Sequence, residues 1–329
     1  MSDQDPLKRP RLGLRRILLV SGGVLLASSI FLLPDTGLLQ NVAPTTDLPT
    51  PPVSATGTNA VESAGAQEQG APATSTDLPR PLVPVYWLGD VAGTDKLFRE
   101  FLEAPDTSSG DPIADAVLKM TSREPLDPDY YSPWQPASSV SSSISTRNVI
   151  TIDLSSDAFA ERLDEDEARL ALQQLVYTAT AAAANAGLIT AGETSSVVVL
   201  VDGTAGYRAF DAVELRGEWT RDASATAPVW IIDPQEGVES DTGELTVHGV
   251  GPADRREVSW RIDRVVDDAD QDSPGATLLE EGTAEVSSQD AAVGTYSFTV
   301  SLPAGQYEIT VSARTSAGEA QDSKTVVVR

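Results

Sequence analysis

The stretch Val149 to Gly187, VITIDLSSDAFAERLDEDEARLALQQLVYTATAAAANAG, decides how this chain is read. Its first six residues alternate, with Ile150, Ile152 and Leu154 on one face, which is the pattern of a half-buried strand. The period then changes. Asp164 followed three residues later by Glu167 predicts a capping box, and Leu172, Leu175, Val176 and Ala179 follow at helical spacing. The acids at 164–167 sit at the positive end of that helix, so helix chemistry rather than metal binding explains the run. Gly187 is placed to end it in a left-handed conformation. The apolar run Ser196 to Val201, turning at Asp202-Gly203, reads as a buried strand beyond the helix. Strand, long helix and strand in succession predict an α+β domain.

Working outward toward the N-terminus, Val83 to Leu88 is strand-like and Gly89-Asp90 is expected to end it. Lys96 to Leu102 fits a strand or a short helix equally. Asp111-Pro112 supplies an N-cap and a first-turn proline, followed by Ile113, Ala116, Val117 and Met120 at helical spacing. Residues 122–147 are rich in Pro, Ser and Asp and read as a long loop. The α+β domain is expected over 81–222.

Toward the C-terminus, from about Val229, the helical period disappears. Strands are predicted at Val229–Ile232, Leu245–His248, Val258–Val265, Thr277–Ala284, Tyr296–Leu302, Tyr307–Ala313 and Thr325–Val328. Turns separate them at 234–237, 303–305 and 316–318. Seven short strands in about 100 residues predict an all-β, immunoglobulin-like sandwich over 229–329, with Trp260 in its core.

The first 80 residues read differently. Residues 1–16 hold five basic side chains (Lys8, Arg9, Arg11, Arg15, Arg16) against Asp3 and Asp5. Residues 17–33, ILLVSGGVLLASSIFLL, carry no charge and stop at Pro34. As a helix they span about 25 Å, close to a bilayer's hydrocarbon core of about 30 Å. The basic flank holds the N-terminus in the cytoplasm. The small residues Ala27-Ser28-Ser29 fall inside the apolar run instead of after it, which favours an uncleaved anchor over a signal peptide. Residues 34–80 contain no aromatic side chain and are rich in Pro, Thr, Ser, Ala and Gly. They are expected to form a disordered tether with a root-mean-square reach of about 35–40 Å.

Composition narrows the chemistry. The formal net charge is −26, and everything after residue 33 holds 18 basic and 47 acidic side chains. Such a surface repels nucleic acid. With no cysteine, disulfides, thiol catalysis and zinc–cysteine sites are excluded. With His248 as the single histidine, a multi-histidine metal centre is excluded and a Ser-His-Asp triad would have to use that residue.

Two resemblances follow from these residues. VITIDLSSDAF (149–159) resembles the strand and Asp-Leu-Ser step of the GerMN domain of sporulation and spore germination proteins. ARLALQQLVYTAT (168–180) resembles its Gln-rich helix, and Val201-Asp202-Gly203 fits the strand after it. Where that family has a Leu-rich helix ending in Gly-Pro, this chain has Ala114 to Met120 and no Gly-Pro. Residues 231–329 resemble the immunoglobulin-like domain of bacterial spore germination, through Ile232-Asp233-Pro234 with Gly237, Leu245-Thr246-Val247 with Gly249, Val258 with Trp260, Phe298 to Leu302, and Ala304 to Tyr307. The resemblance implies an envelope protein without known catalysis and without a cofactor.

Four features are weighed as sites. Asp268, Asp270 and Asp272 alternate like the first ligands of a calcium loop, but Ser273 and Leu279 stand where that loop needs Gly and Glu, so a solvated inter-strand loop is the better reading. Asp127-Pro128-Asp129 offers two carboxylates with no nucleophile or positioned base, as ordinary turn formers do. His248 reads as structural, at the end of its strand. The aromatic cluster Tyr130, Tyr131 and Trp134 either covers the domain's own core or forms an exposed hot spot for a partner. The expectation is a non-enzymatic, membrane-anchored extracytoplasmic protein that binds an envelope protein partner, with a cell-wall glycan or small-ligand receptor as the alternative.

Overall fold

Two long strands, β1 (Leu82–Val91) and β2 (Thr94–Glu103), pair along their whole length from Leu82 opposite Glu103 to Val91 opposite Thr94. Ala92 and Gly93, at φ 52° and 87°, make the two-residue turn between them, the left-handed geometry that suits a twisted hairpin. The computed structural model describes residues 82–105, 109–189, 193–266, 275–287, 293–316 and 318–329. The basic tail, the apolar segment 17–33, the tether 34–80 and the Asp268, Asp270 and Asp272 loop lie outside the described residues. Among the described residues no helix is long and apolar enough to cross a membrane.

Gly89 does not end β1 as its sequence suggested. A Cβ there would approach the Phe98 and Tyr130 rings to 2.9–3.0 Å, so the glycine lets two aromatic rings lie against the strand while the strand continues. The ambiguous segment 96–102 is strand, because its apolar residues Leu97 and Phe98 are buried on the two faces of a paired hairpin arm.

Helix α1 (Pro112–Ser122) begins as the sequence predicts. Asp111 Oδ1 accepts from the amides of Ile113 and Ala114 at 3.1 and 2.9 Å, and Pro112 occupies the first turn. The stretch expected to be one long loop holds two strands, β3 (Tyr130–Tyr131) and β4 (Val140–Ile144). β3 pairs with β1, giving the order β2-β1-β3. β4 pairs antiparallel with β5 (Val149–Leu154), which pairs parallel with β6 (Ser196–Val201). Ser and Pro hid β4, whose Val140-Ser-Ser-Ser-Ile144 sequence carries apolar residues only at its ends.

Helix α2 (Glu165–Asn185) connects β5 to β6. The capping box is present, with the Glu167 amide donating to Asp164 Oδ1 at 2.9 Å and the Asp164 amide donating back to the Glu167 carboxylate. Its apolar stripe of Leu172, Leu175, Val176 and Ala179 is fully buried. Two polar residues share the buried surface. Gln174 Nε2 donates to the Tyr86 carbonyl at 2.7 Å, and Thr178 Oγ1 accepts from the Tyr86 amide at 3.1 Å. One helical turn apart, they satisfy backbone groups of β1 that no strand pairs at that position. This gives the Gln- and Thr-bearing helix motif a structural reason.

Small strands β7 (Arg208–Ala209) and β8 (Val213–Glu214) complete the first unit. The second unit is all β. It contains β9 (Trp230–Asp233), β10 (Val238–Ser240), β11 (Glu244–Pro252), β12 (Glu257–Val266), β13 (Gly275–Ser287), β14 (Val293–Ser301), β15 (Gly305–Thr315) and β16 (Gly318–Val328). They form one curled sheet in the order β10-β16-β15-β12-β13-β14-β11-β9. Strand β13 turns the corner, pairing with β12 along most of its length and with β14 through Val286 and Ser287. The curl encloses Val247, Val258, Ile262, Tyr307, Ile309, Val311 and Val326. All seven predicted strands are present, and β10 is added by parallel pairing with the end of β16.

Three details differ from expectation. His248 lies within β11, at a register shift next to Gly249, and is not at its end. Trp260 stands at the edge of the core, half-buried and stacked on Phe298 at 4.7 Å between ring centroids. Gly249 sits beneath the bond from the Tyr296 hydroxyl to the Trp230 carbonyl, 3.2 Å long, and a Cβ at 249 would fall on both partners. Gly249→Ala is therefore expected to cost about 1–3 kcal/mol, since backbone and a buried ring must both shift. Urea unfolding of the variant checks this; an unchanged midpoint would show that β9 moves aside freely.

Candidate functional site: a buried ionic network between the two units

The site grows from one carboxylate. Glu100 lies on the buried face of β2 with no exposed surface, and its two oxygens accept the amides of Leu126 and Asp127, each at 2.9 Å. This pins the start of the 126–131 segment. Asp127 then makes the turn its sequence predicted, with Oδ1 accepting the Asp129 amide at 2.9 Å. Its other oxygen faces the second unit and accepts from Lys324 Nζ at 2.5 Å. Lys324 and Asp127 are 1% and 3% exposed, so this is a fully buried ion pair.

Lys324 comes from β16. Alternation along that strand sends Ala320, Asp322, Lys324, Val326 and Val328 inward. Lys324 Nζ also donates to the Tyr130 hydroxyl at 2.8 Å and lies 4.2 Å from that ring's centroid. Tyr130 in turn donates to Asp322 Oδ1 at 2.6 Å, and Asp322 Oδ2 accepts the Ile231 amide of β9 at 2.7 Å. The loop between β9 and β10 adds two contacts. Glu236 Oε2 accepts the Thr325 amide at 2.7 Å, and Gln235 Oε1 accepts the Phe101 amide of β2 at 3.0 Å. The predicted turn at 234–237 is thus part of the joint between the units.

Four carboxylates, Glu100, Asp127, Asp322 and Glu236, surround a single ammonium. Burial pushes the Asp322 carboxyl up to about 6, against the pull of Lys324 and the Tyr130 hydrogen bond. Burial likewise pushes Glu236 up to about 7, against the Thr325 amide, and Glu100 is raised for the same reason. For Lys324, burial opposes the charge, but Asp322, Asp127 and Glu100 outweigh it and its pKa rises. Burial raises Tyr130 well above the ordinary phenol range, with Asp322 and Asp127 adding to it.

Of the two readings of the aromatic cluster, core cover is the one that fits Tyr130 and Trp134. Tyr130 is 7% exposed and stacks on Phe98 at 4.6 Å between centroids. Trp134 is 4% exposed and packs against Phe159 and Phe210 at 4.9 and 5.0 Å. The segment closes the core of the first unit, since three rings there bury more apolar area together than any of them gains in solvent. Only Tyr131 reaches solvent, half-buried, with its hydroxyl donating to Asp95 at 2.8 Å. It borders a half-open cleft of about 500 Å³ between Asp90, Asp129 and Tyr131 on one side and Gln321 and Ser323 on the other.

Asp127 and Asp129 do not face each other across a substrate space, because the turn bond joins them and Asp127 is taken by Lys324. His248 is exposed on β11. Among the described residues no group of three or more His, Asp or Glu side chains is arranged to hold a metal ion. Sequence reasoning missed Lys324, Asp322, Glu100 and Glu236. The available signal was two charges at 322 and 324 in phase with Val326 and Val328, on a face that should have been apolar.

Residues 84–206 match the family model Germane, described as sporulation and spore germination. Among solved structures the chain is similar to the tandem GerMN domains of the sporulation protein GerM from Bacillus subtilis, with 16% identity and a TM-score of 0.35 over 47% of this chain. The chain spans half the length of that structure, 50% of it. It is also similar to Spo0M, a sporulation control protein from Bacillus subtilis, with 14% identity and a TM-score of 0.22 over 31% of this chain and 49% of that one. No curated protein matches the chain. The strand, capped Gln-bearing helix and strand that open the sequence reading lie inside the matched span, so the similarity to the Germane family, described as sporulation and spore germination, rests on the part of the chain whose local structure the sequence marks best.

Proposed function

We propose that this protein is a membrane-anchored, extracytoplasmic, non-catalytic interaction module of the bacterial cell envelope. In this reading, segment 17–33 anchors it with the N-terminus in the cytoplasm. Residues 34–80 hold a Germane domain and an immunoglobulin-like domain away from the bilayer. The observation that carries the proposal is how the chemically capable groups are used. Asp127, Lys324, Tyr130 and Asp322 bond in a chain between the units, so their polar atoms are taken up by one another even where Tyr130 and Asp322 border the cleft. A buried network that joins two units while leaving their outer faces free suits a body that works by contact. Tyr130 and Trp134 are buried, so Tyr131 and the cleft beside it, which Tyr130 also lines, are the part of the expected patch most open to a partner.

The test is cross-linking of the full chain in cells, followed by mass spectrometry, with N-terminal sequencing of the membrane-bound protein. An envelope protein captured by the wild type and lost in Tyr131→Ala supports the reading. A mature chain starting near residue 30 would remove the anchor, and retention on purified cell-wall glycan without any protein cross-link would favour a receptor role.

A further inference from the structure

The all-β unit leaves a long strand edge without a partner. On one side β13 pairs with β12, from Gly275 opposite Val266 to Glu285 opposite Glu257. On its other side it meets β14 only through Val286 and Ser287. Beyond Tyr296, β14 continues against β11 and no longer meets β13. Among the described residues nothing pairs with the outer side of Glu280 to Glu285. The end strands of the same sheet, β9 and β10, are four and three residues long, the short edges that a sheet normally presents.

The ladder to β12 fixes which backbone groups of β13 point outward. The Val286 amide donates to the Arg256 carbonyl at 2.8 Å, and antiparallel pairing alternates from there. Ala284, Gly282 and Glu280 turn their amides and carbonyls toward β12, so Glu285, Thr283 and Glu281 turn theirs away from it. A register shift at Leu279 ends the regular edge and leaves Leu278 and Leu279 49% and 47% exposed beside it. The strand carries Glu280, Glu281 and Glu285 and no basic side chain. Arg261, opposite Glu281 on β12, is held by the Asp263 carboxylate at 2.7 and 2.5 Å.

The geometry points to the outer edge of β13 as a strand-addition site for an extended, lysine- or arginine-bearing segment of another protein. No β13 residue lines the cleft beside Tyr131, so this is a separate contact surface. A second copy of this chain is the poorer occupant. Two β13 edges paired antiparallel about Thr283 set Glu281 opposite Glu285 twice. Centring the pair on either glutamate sets that residue against itself, and like charges directly opposite destabilise a sheet. A segment with cations at alternate positions places one against each glutamate instead. Its backbone bonds to residues 281, 283 and 285 supply affinity, and its apolar positions cover Leu278 and Leu279.

The probe is a fluorescent heptapeptide alternating lysine and valine, titrated against the full-length chain in detergent. It is expected to bind, and an analogue N-methylated at its three central amides is expected to bind about ten-fold more weakly or worse, since charge alone cannot replace the backbone bonds. Thr283→Pro removes an outward amide and leaves the ladder to β12 intact, so it should weaken the probe similarly with an unchanged melting temperature. Glu281→Gln with Glu285→Gln should weaken binding and reduce its salt dependence. Hydrogen exchange over 281–285 should slow when the probe is added. Tyr131→Ala should bind the probe as the wild type does, so the roles of the cleft and of this edge are read separately. Equal binding of the methylated analogue, or unchanged exchange over 281–285, would overturn the inference even where Thr283→Pro fails to fold. Self-association of the wild type that Thr283→Pro abolishes would overturn the choice of occupant and give the edge to a second copy.

Discussion

Lys324→Met is expected to destabilise the protein by about 3–5 kcal/mol, the usual cost of removing one partner from a buried ion pair. Methionine fills most of the volume of the lysine stem, so little of the loss comes from a cavity. The cost arises in what remains. Asp127 and Asp322 stay 3% exposed and lose the ammonium that lies 2.5 and 3.8 Å from them. The Tyr130 hydroxyl loses a donor at 2.8 Å while still pointing at Asp322. Neutralising the stranded carboxylate should return part of the loss, so Lys324→Met with Asp127→Asn is expected to be less damaging than the single costs added together. Urea unfolding of the four species measures the coupling. A single-variant loss below about 1 kcal/mol would mean that water reaches the pair and screens it as on a surface.

Leu175→Ala is expected to cost about 2–5 kcal/mol, through lost burial and the cavity left behind. Leu175 has no exposed surface and lies in the core of the first unit with Leu172, Val176 and Ala179. The neighbouring Gln174 and Thr178 bond to Tyr86, and this holds the helix at its distance from the strand and limits collapse into the cavity. The loss should therefore fall in the upper part of the range, with the denaturant slope unchanged. A loss below about 1 kcal/mol would show that the helix settles onto β1 despite those two bonds.

Much of the fold was legible because it rests on local rules. The caps of α1 and α2 need only the identity of residues 111–112 and 164–167, and both formed as read. The strands of the second unit showed themselves by alternation, which survives whatever the sheet later does. Segments governed by distant partners were harder to read. Gly89 punctuates a strand in sequence, yet in the fold it makes room for Phe98 and Tyr130. Residues 130–131 look like loop because their pairing partner is β1, some forty residues earlier. His248 and Gly249 depend on a register shift that no short window contains.

By itself the sequence determined the strand–helix–strand unit of the first half, the all-β second half and the absence of thiol or multi-histidine chemistry. Those properties follow from residue type and period. Only the tertiary structure decided what the charged and aromatic residues do. Asp127, Tyr130 and Lys324 are separated by up to 197 positions, and nothing near any of them announces the others. Burial is a property of the assembled surface: Tyr130 and Trp134 would be exposed on an isolated loop and are core once the 126–137 segment closes over Phe98 and Phe159. The same closure turns two ordinary strand charges, Asp322 and Lys324, into the centre of the joint, because the desolvation that makes a charge matter comes from whatever unit is folded on top of it.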